Sequence, residues 1–169
     1  SIAPLLDDKF VVVWSDRAAK DGSKGGIFGR IYTSGFVPVS PDLMVNTITN
    51  GYQSKQSTAS AVNGHFMVIW HDDSSAVRGQ IFYADGVKLG PELPVNRQRY
   101  NGNSDIASDV EGNFWAVSGD GTGYFSKYSN AGELLVDSQI FHDVDNPYDP
   151  KIAALADGRM LVSWYDGGN

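Results

Sequence analysis

"NGHFMVIWHDD", residues 63–73, places a turn dipeptide, an apolar run, a tryptophan, a histidine and two carboxylates in eleven positions. Taken alone it reads equally as a chemical site built on His71, Asp72 and Asp73 or as a strand. The rest of the chain decides, because the pattern recurs. It appears in "IAPLLDDKFVVVWSD" from Ile2, "TASAVNGHFMVIWHDD" from Thr58, "IASDVEGNFWAVSGD" from Ile106 and "IAALADGRMLVSWYD" from Ile152. Eight residues separate Ile2 from Phe10, Thr58 from Phe66, Ile106 from Phe114 and Ile152 from Met160, with no gap. Four copies in one register indicate a structural repeat, and a repeat constrains the fold before any other feature.

Each copy reads as strand, turn, strand. The turns fall at Asp8-Lys9, Asn63-Gly64, Glu111-Gly112 and Asp157-Gly158; Asn-Gly or Asp-Gly between apolar runs is the strongest short hairpin signal, since both residues tolerate positive φ. A third strand follows in "IFGRIYT" (27–33), "RGQIFYA" (78–84) and "GYFSKYS" (123–129). Turns at Ser34-Gly35, Asp85-Gly86 and Ala131-Gly132 lead to a fourth, "DLMVN", "ELPVN" and "SQIFH". The unit is thus four strands, A to D. With 150 residues between Ile2 and Ile152, it repeats about every 50 residues.

The spacing predicts an all-β chain of four-stranded antiparallel blades, β-propeller-like, with about three and a half blades. The units run at about 2–57, 58–105 and 106–151, followed by a terminal hairpin at 152–169, in one repeat domain spanning 1–169. "FVVVW" and "FMVIW" are apolar on both faces, as expected of inner strands packed on two sides. A β-sandwich or β-solenoid is the alternative architecture. Three and a half blades fall short of the four that usually close a ring, so further blades or partner subunits are expected to complete a ring or stack.

A formal net charge of −7 repels nucleic acid and anionic lipid, and no basic run offsets it. The absence of cysteine excludes disulfides, thiolate metal sites and a thiol nucleophile. No apolar stretch approaches the roughly 20 residues of a membrane span. "SIAPLLDD" at the start lacks the basic and apolar regions of a signal peptide, so the chain reads as soluble from birth or as the mature piece of something longer.

Residues 45–73, "VNTITNGYQSKQSTASAVNGHFMVIWHDD", resemble a repeat of large bacterial extracellular proteins of the adhesin and hemolysin type. That repeat has a Val-Asn-Thr strand end, a Gly-x-Gln-Ser linker, an Ala-rich strand, Asp-Gly or Asn-Gly, and a Phe-Val-Val-x-Trp strand. "IFGRIYTSG" (27–35), "GQIFYADG" (79–86) and "ALADGRMLVSW" (154–164) look like further parts of it. The resemblance implies scaffolding or binding at a bacterial cell surface or outside the cell. The third unit departs from the pattern, with Ser118 at the tryptophan position and no Val-Asn closing its fourth strand.

An aspartate follows each tryptophan slot by two positions: Asp16, Asp72, Asp120 and Asp166. With Asp21 from "SDRAAKDGSKGG" (15–26) and Asp73 from "HDD", the set Asp16, Asp21, Asp72 and Asp73 forms the candidate ligands for Ca²⁺, a cation that takes carboxylate and carbonyl oxygens. The plainer reading is that each carboxylate accepts loop amides where a strand ends. His71 has Ser15, Gly119 and Tyr165 at its position in the other copies, which points to an exposed loop histidine. His65 and His142 add no metal spacing.

"GDGTG" (119–123) lacks the lysine and helix of a phosphate loop and reads as a tight turn. "SDVEGNFW" (108–115) approaches the structural Asp-box of sialidases, one residue out of spacing. Trp14, Trp70 and Trp164 share one slot, which indicates core packing or contact between blades and not a ligand platform. Trp115 lies out of phase with them and, with Tyr100, Tyr124 and Tyr165, forms the candidate set for stacking on sugars. "NRQRY" (96–100) reads as a solvated loop. The function expected from these features is a noncatalytic extracellular or surface module for adhesion or assembly. A carbohydrate-binding propeller and a fragment of a propeller glycosidase are the alternatives.

Overall fold

The computed structural model describes residues 1–74, 76–96, 102–119, 122–142 and 147–166. The first sheet contains β1 (Ile2–Leu5), β2 (Lys9–Asp16), β3 (Gly26–Thr33) and β4 (Leu43–Met44). The second contains β5 (Ser54–Ser60), β6 (Phe66–His71), β7 (Val77–Phe82) and β8 (Lys88–Asn96). The third contains β9 (Ser104–Ser108), β10 (Phe114–Gly119), β11 (Gly123–Tyr128) and β12 (Leu134–His142), and a two-stranded sheet pairs β13 (Pro147–Ala154) with β14 (Met160–Asp166). Strands follow one another in sheet order, so each sheet is an antiparallel meander. The structure therefore has the all-β, blade-like architecture that the repeat implies. Among the described residues no helix is long and apolar enough to cross a membrane.

The register of each hairpin follows from its loop. Ala61 N–H donates to His65 O at 2.8 Å and Gly64 N–H to Ala61 O at 2.9 Å, leaving a three-residue loop whose third member, Gly64, has φ +85°. Gly86, Gly112, Gly132 and Gly158 repeat this arrangement. The expected two-residue turns are therefore three-residue loops, with only the glycine left-handed. The preceding Asn63, Asp85 and Asp157 accept from the backbone of the residue beyond the glycine. Two loops differ from the expected positions. In the first hairpin Asp7 and Asp8 are the left-handed residues and Lys9 already belongs to β2; in the next loop it is Phe36, φ 62°, rather than Gly35.

Alternation along the inner strands builds the core. Val11 and Val13 of β2, with Ala3, Ile27, Ile31 and Val45, meet Phe66, Val68, Trp70 and Phe82 of the second sheet. From the opposite face of that sheet, Met67, Ile69, Val77, Ile81 and Val95 meet Ile106, Phe114, Ala116 and Tyr128 of the third. All six residues of β6 are buried, three toward each neighbour, which is why its sequence shows no polar alternation. The first strands of successive sheets touch one another and the outer strands touch less, so the sheets fan outward from β1, β5, β9 and β13.

Fourth strands differ from their predicted lengths. β8 and β12 begin directly after the preceding turn, whereas β4 is only two residues long. Pro38 and Pro41 lie in the segment before β4, and neither has an N–H to give a ladder.

Candidate functional site

Residues at or near the start of the first strands converge at the inner edge of the fan. Lys55, Gln56 and Ser57 of β5, Asn103, Ser104 and Asp105 at the start of β9, and Lys151 of β13 line a cleft of about 430 Å³, which also reaches Ser1. A β-bulge positions this edge in two of the sheets. Ser54 pairs with His71 and Ser57 with Ile69, so Lys55 and Gln56 together oppose Trp70. Likewise Tyr148 pairs with Tyr165 and Lys151 with Ser163, so Asp149 and Pro150 oppose Trp164. Lys55 (φ 55°) and Asp149 (φ 48°) are left-handed; bulges of this kind re-aim side chains at sheet rims and next to sites.

Hydrogen bonds step from sheet to sheet along this rim. The Ser57 hydroxyl donates to Asp105 Oδ1 at 2.7 Å, and Ile152 N–H donates to Asp105 Oδ2 at 3.2 Å. The Asn103 amide donates to Asp149 Oδ1 at 2.8 Å, and Lys151 Nζ lies 3.3 Å from the same oxygen. The hydrogen bond from Asn103, with smaller help from Lys151 and Lys55, holds the Asp149 carboxyl below its ordinary range. Lys55 Nζ donates to Gly102 O at 3.1 Å. The arrangement presents a polar cleft with both signs of charge, suited to hydroxyl-rich ligands. None of these residues was singled out from the sequence. A signal was present: one position before Ile2, Thr58, Ile106 and Ile152 stand Ser1, Ser57, Asp105 and Lys151, polar in every copy.

The proposed calcium ligands are used differently. Asp72 accepts from Ser74 N–H at 2.8 Å, Ala76 N–H at 3.1 Å and Arg78 Nε at 3.0 Å. Burial pushes its carboxyl up, but the bonds from Ser74, Arg78 and Ala76 outweigh burial and hold it below the ordinary value. Asp73 lies over Gly51, where a Cβ would overlap its carboxylate. Asp16 accepts from Ala18 N–H at 3.2 Å, and its other oxygen is buried without a partner among the described residues. Asp21 accepts from Ser23 N–H at 3.1 Å and from the Asn46 amide at 3.3 Å. Among the described residues no three His, Asp or Glu side chains gather to hold an ion. The bonds of Asp16, Asp21 and Asp72 tie loops at the ends of their strands. Asp120 lies outside the described residues.

His71 is not the exposed loop residue expected. It ends β6 at 4% exposure, and its Nε2 lies 3.1 Å from the Ser104 hydroxyl of the third sheet. Extended pairing of β6 with β7 carries His71 into the strand, opposite Val77.

The described members of the candidate sugar-stacking set lie on three strands, Trp115 on β10, Tyr124 on β11 and Tyr165 on β14. Trp115 donates its indole N–H to Asp109 at 2.8 Å, lies 4.7 Å under Lys127 Nζ and stacks on Phe125. Its ring is therefore occupied by its own sheet. Tyr124 is half-buried in β11, and Tyr165 is 68% exposed on β14 beside its cross-strand partner Tyr148. Tyr100 and the rest of "RQRY" lie outside the described residues. Of the shared tryptophans, Trp70 is buried between sheets, Trp14 is half-buried and Trp164, 40% exposed, packs on Phe141.

Asp109 of "SDVEGNFW" locks the β9–β10 turn. It accepts from Glu111 and Asn113 N–H at 3.0 and 2.8 Å, and Lys127 Nζ lies 3.1 Å away. Burial pushes its carboxyl up, but the bonds from Trp115, Asn113 and Lys127 together bring it down to about 2. The role is structural, as the likeness to an Asp-box implied.

No protein-family model matches the sequence, and no curated protein matches it. Solved structures do match in shape. A Bacteroides caccae protein of unknown function is 14% identical at a TM-score of 0.58, with 96% of this chain and 52% of that one covered. An α-L-arabinanase from Penicillium chrysogenum, solved with arabinobiose, is 14% identical at a TM-score of 0.62, covering 95% and 55%. The intramolecular trans-sialidase of Ruminococcus gnavus, solved with oseltamivir carboxylate, is 10% identical at 0.60, covering 94% and 36%. The chain spans about half the length of the first two structures and a third of the last. None of these comparisons adds support for the adhesin- and hemolysin-type repeat in particular. At these identities the likeness concerns the fold alone: the sheets of this chain are the blades of a β-propeller.

Proposed function

We propose that the chain is a noncatalytic assembly element, a run of propeller blades that acts through its surfaces in a larger extracellular or cell-surface structure. One observation carries this reading. Phe10, Val12, Trp14 and Tyr32 on the first blade occupy the register of Phe66, Val68, Trp70 and Phe82 on the second. The second set is buried between blades, whereas the first is half-buried with no other sheet packed on it among the described residues, and Ile2 beside Val12 is 61% exposed. An apolar surface in the register of a buried seam is suited to receive another blade. The test is a chain carrying a second copy of residues 58–104 ahead of Ser1. It should melt at a higher temperature than the original, with blue-shifted Trp14 fluorescence; an unchanged melting point and spectrum would sink the reading.

The inner cleft favours carbohydrate binding as a second reading, since its donors and acceptors suit hydroxyl groups and two structural neighbours were solved with a sugar or a sugar-like inhibitor. A glycan array should then give hits that Lys55→Ala and Lys151→Ala weaken. An array without hits removes this reading and, with it, the main support for a glycosidase fragment.

A further inference from the structure

The seam between the first and second blades differs from the next one at two repeat positions. The slot that His71 fills in the second blade is Ser15 in the first, and the slot of Asp73 is Arg17. His71 closes its seam by reaching Ser104. The shorter Ser15 leaves a cavity of about 350 Å³, lined by Ser15, Arg17, Tyr52, Gln53 and Ser54. Backbone holds one wall of it: Gln53 N–H donates to Gly25 O at 3.1 Å, and Tyr52 bridges Gly25 in parallel. A Cβ on Gly25 would meet Asp16 O at 2.6 Å, so only glycine lets the residue that carries the linker sit against the end of β2.

The side chains at this cavity are of two kinds. Gln53 is buried and gives its amide to Asn50 O at 3.1 Å. Tyr52 is 50% exposed, with Lys24 Nζ 5.6 Å from its ring centroid. Arg17 and Lys24 thus bring two cations together in a chain of net charge −7. Among the described residues neither is ion-paired to a carboxylate. The carboxylates of the same loop are bonded locally: Asp16 accepts from Ala18 N–H, and Asp21 from Ser23 N–H and the Asn46 amide. Asp73 lines another cleft, with Asp72, Arg78 and Glu92.

We propose that this cavity binds a uronic acid unit of an acidic saccharide, with the Arg17 guanidinium on the sugar carboxylate and the exposed ring of Tyr52 against the sugar ring. A planar guanidinium matches a carboxylate through two parallel hydrogen bonds, and Lys24 adds a second positive charge. Tyr52 supplies rigid apolar contact area, while Ser15 and Ser54 offer hydroxyls to those of the sugar. The proposal rests on the carbohydrate reading of the inner cleft and names its ligand class. The two cavities meet at the β5 bulge, where Ser54 lines one and the next two residues, Lys55 and Gln56, line the other. One saccharide chain therefore passes from the cleft into the seam.

The experiment is calorimetric titration of the full chain with an oligogalacturonate and with the neutral galactose oligomer of the same length. The acidic oligomer should bind about tenfold more tightly, as a charge-assisted contact implies, and added salt should shrink the preference. Arg17→Gln should erase the preference, and Tyr52→Leu should weaken binding of both oligomers. Both residues are exposed, and circular dichroism verifies that the variants are folded. Equal binding of the two oligomers, or a preference that survives Arg17→Gln, overturns the proposal and leaves the carbohydrate reading standing. Polyglutamate that binds as tightly as the oligogalacturonate also overturns it, because charge alone then suffices. If neither oligomer binds, the glycan array separates the two ideas. Acidic hits that Arg17→Gln abolishes support the proposal, hits confined to neutral glycans overturn it alone, and a blank array ends both.

Discussion

His71 Nε2 and the Ser104 hydroxyl lie 3.1 Å apart across the seam between the second and third blades, with both residues buried. The pair joins the end of β6 to the start of β9 at the point where the inner cleft begins. His71→Leu removes the imidazole and leaves Ser104 with one partner fewer, which should destabilise the chain by about 1–3 kcal/mol. Urea unfolding measures it. Because Ser104 also lines the cleft, any ligand of that cleft should bind the variant more weakly.

Asp109 gives the chain an acid-sensitive element. Its folded-state carboxyl sits at about 2 against an ordinary 3.8, so its contribution is fully present above the ordinary value and disappears as pH falls through about 2. That amounts to about 2 kcal/mol. Wild-type stability should therefore drop between those pH values, and Asp109→Asn should flatten that part of the profile while lowering stability at neutral pH. Denaturant midpoints at a series of pH values test this, and parallel profiles for the two proteins would contradict it.

The hairpin loops provide a contrast in backbone strain. At Gly158, φ +86°, a Cβ meets nothing closer than 3.7 Å, so Gly158→Ala should lose only the left-handed penalty, about 1 kcal/mol. At Gly64 the added Cβ also meets Leu6 at 2.8 Å, and Gly64→Ala should lose more. Phe36 is left-handed already. Phe36→Gly gains back about 1 kcal/mol of strain and forfeits an edge contact with Phe10 of similar worth, leaving stability within about 0.5 kcal/mol of wild type. Melting temperatures of the three variants rank these effects.

Asp72 separates the two readings of the repeated aspartates. Its carboxylate is given to Ser74, Ala76 and Arg78. Asp72→Asn should thus destabilise by about 1–2 kcal/mol, equally in calcium and in chelator. A loss seen only in calcium would restore the ion-binding interpretation.

Much of the fold is legible in the residues because the repeat is local. The four-copy register of Phe10, Phe66, Phe114 and Met160 identifies the inner hairpins, and Asn63-Gly64 and Asp157-Gly158 mark two of their loops. Strand ends were less legible. β8 and β12 start earlier than their apolar residues suggest, since half-buried Lys88 and exposed Leu134 are held by ladder pairs with Phe82 and Tyr128. The Val-Asn and Gly-x-Gln-Ser motifs acquire a physical meaning only in three dimensions. Asn46 accepts Ile27 N–H at 2.8 Å and donates to Ile48 O at 3.2 Å, and Gln53 holds Asn50 O at 3.1 Å, so these two buried amides tie the first blade to the linker that follows.

The candidate site divides along the same line. Comparison of copies removed catalytic meaning from His71, yet placed it in an exposed loop, because sequence position alone cannot show that a neighbouring blade covers the strand end. The inner cleft is not legible in the sequence, since Lys55, Asn103, Asp105 and Asp149 are ordinary polar residues until two bulges and the fanning of the sheets bring them to one rim. The sequence by itself determined the repeat, the strand order and the faces that alternate, all consequences of the two-residue period of a strand and the chemistry of its turns. Tertiary structure alone decided which faces are covered, which carboxylates are already bonded and where the cleft lies, because each depends on contacts between residues tens of positions apart.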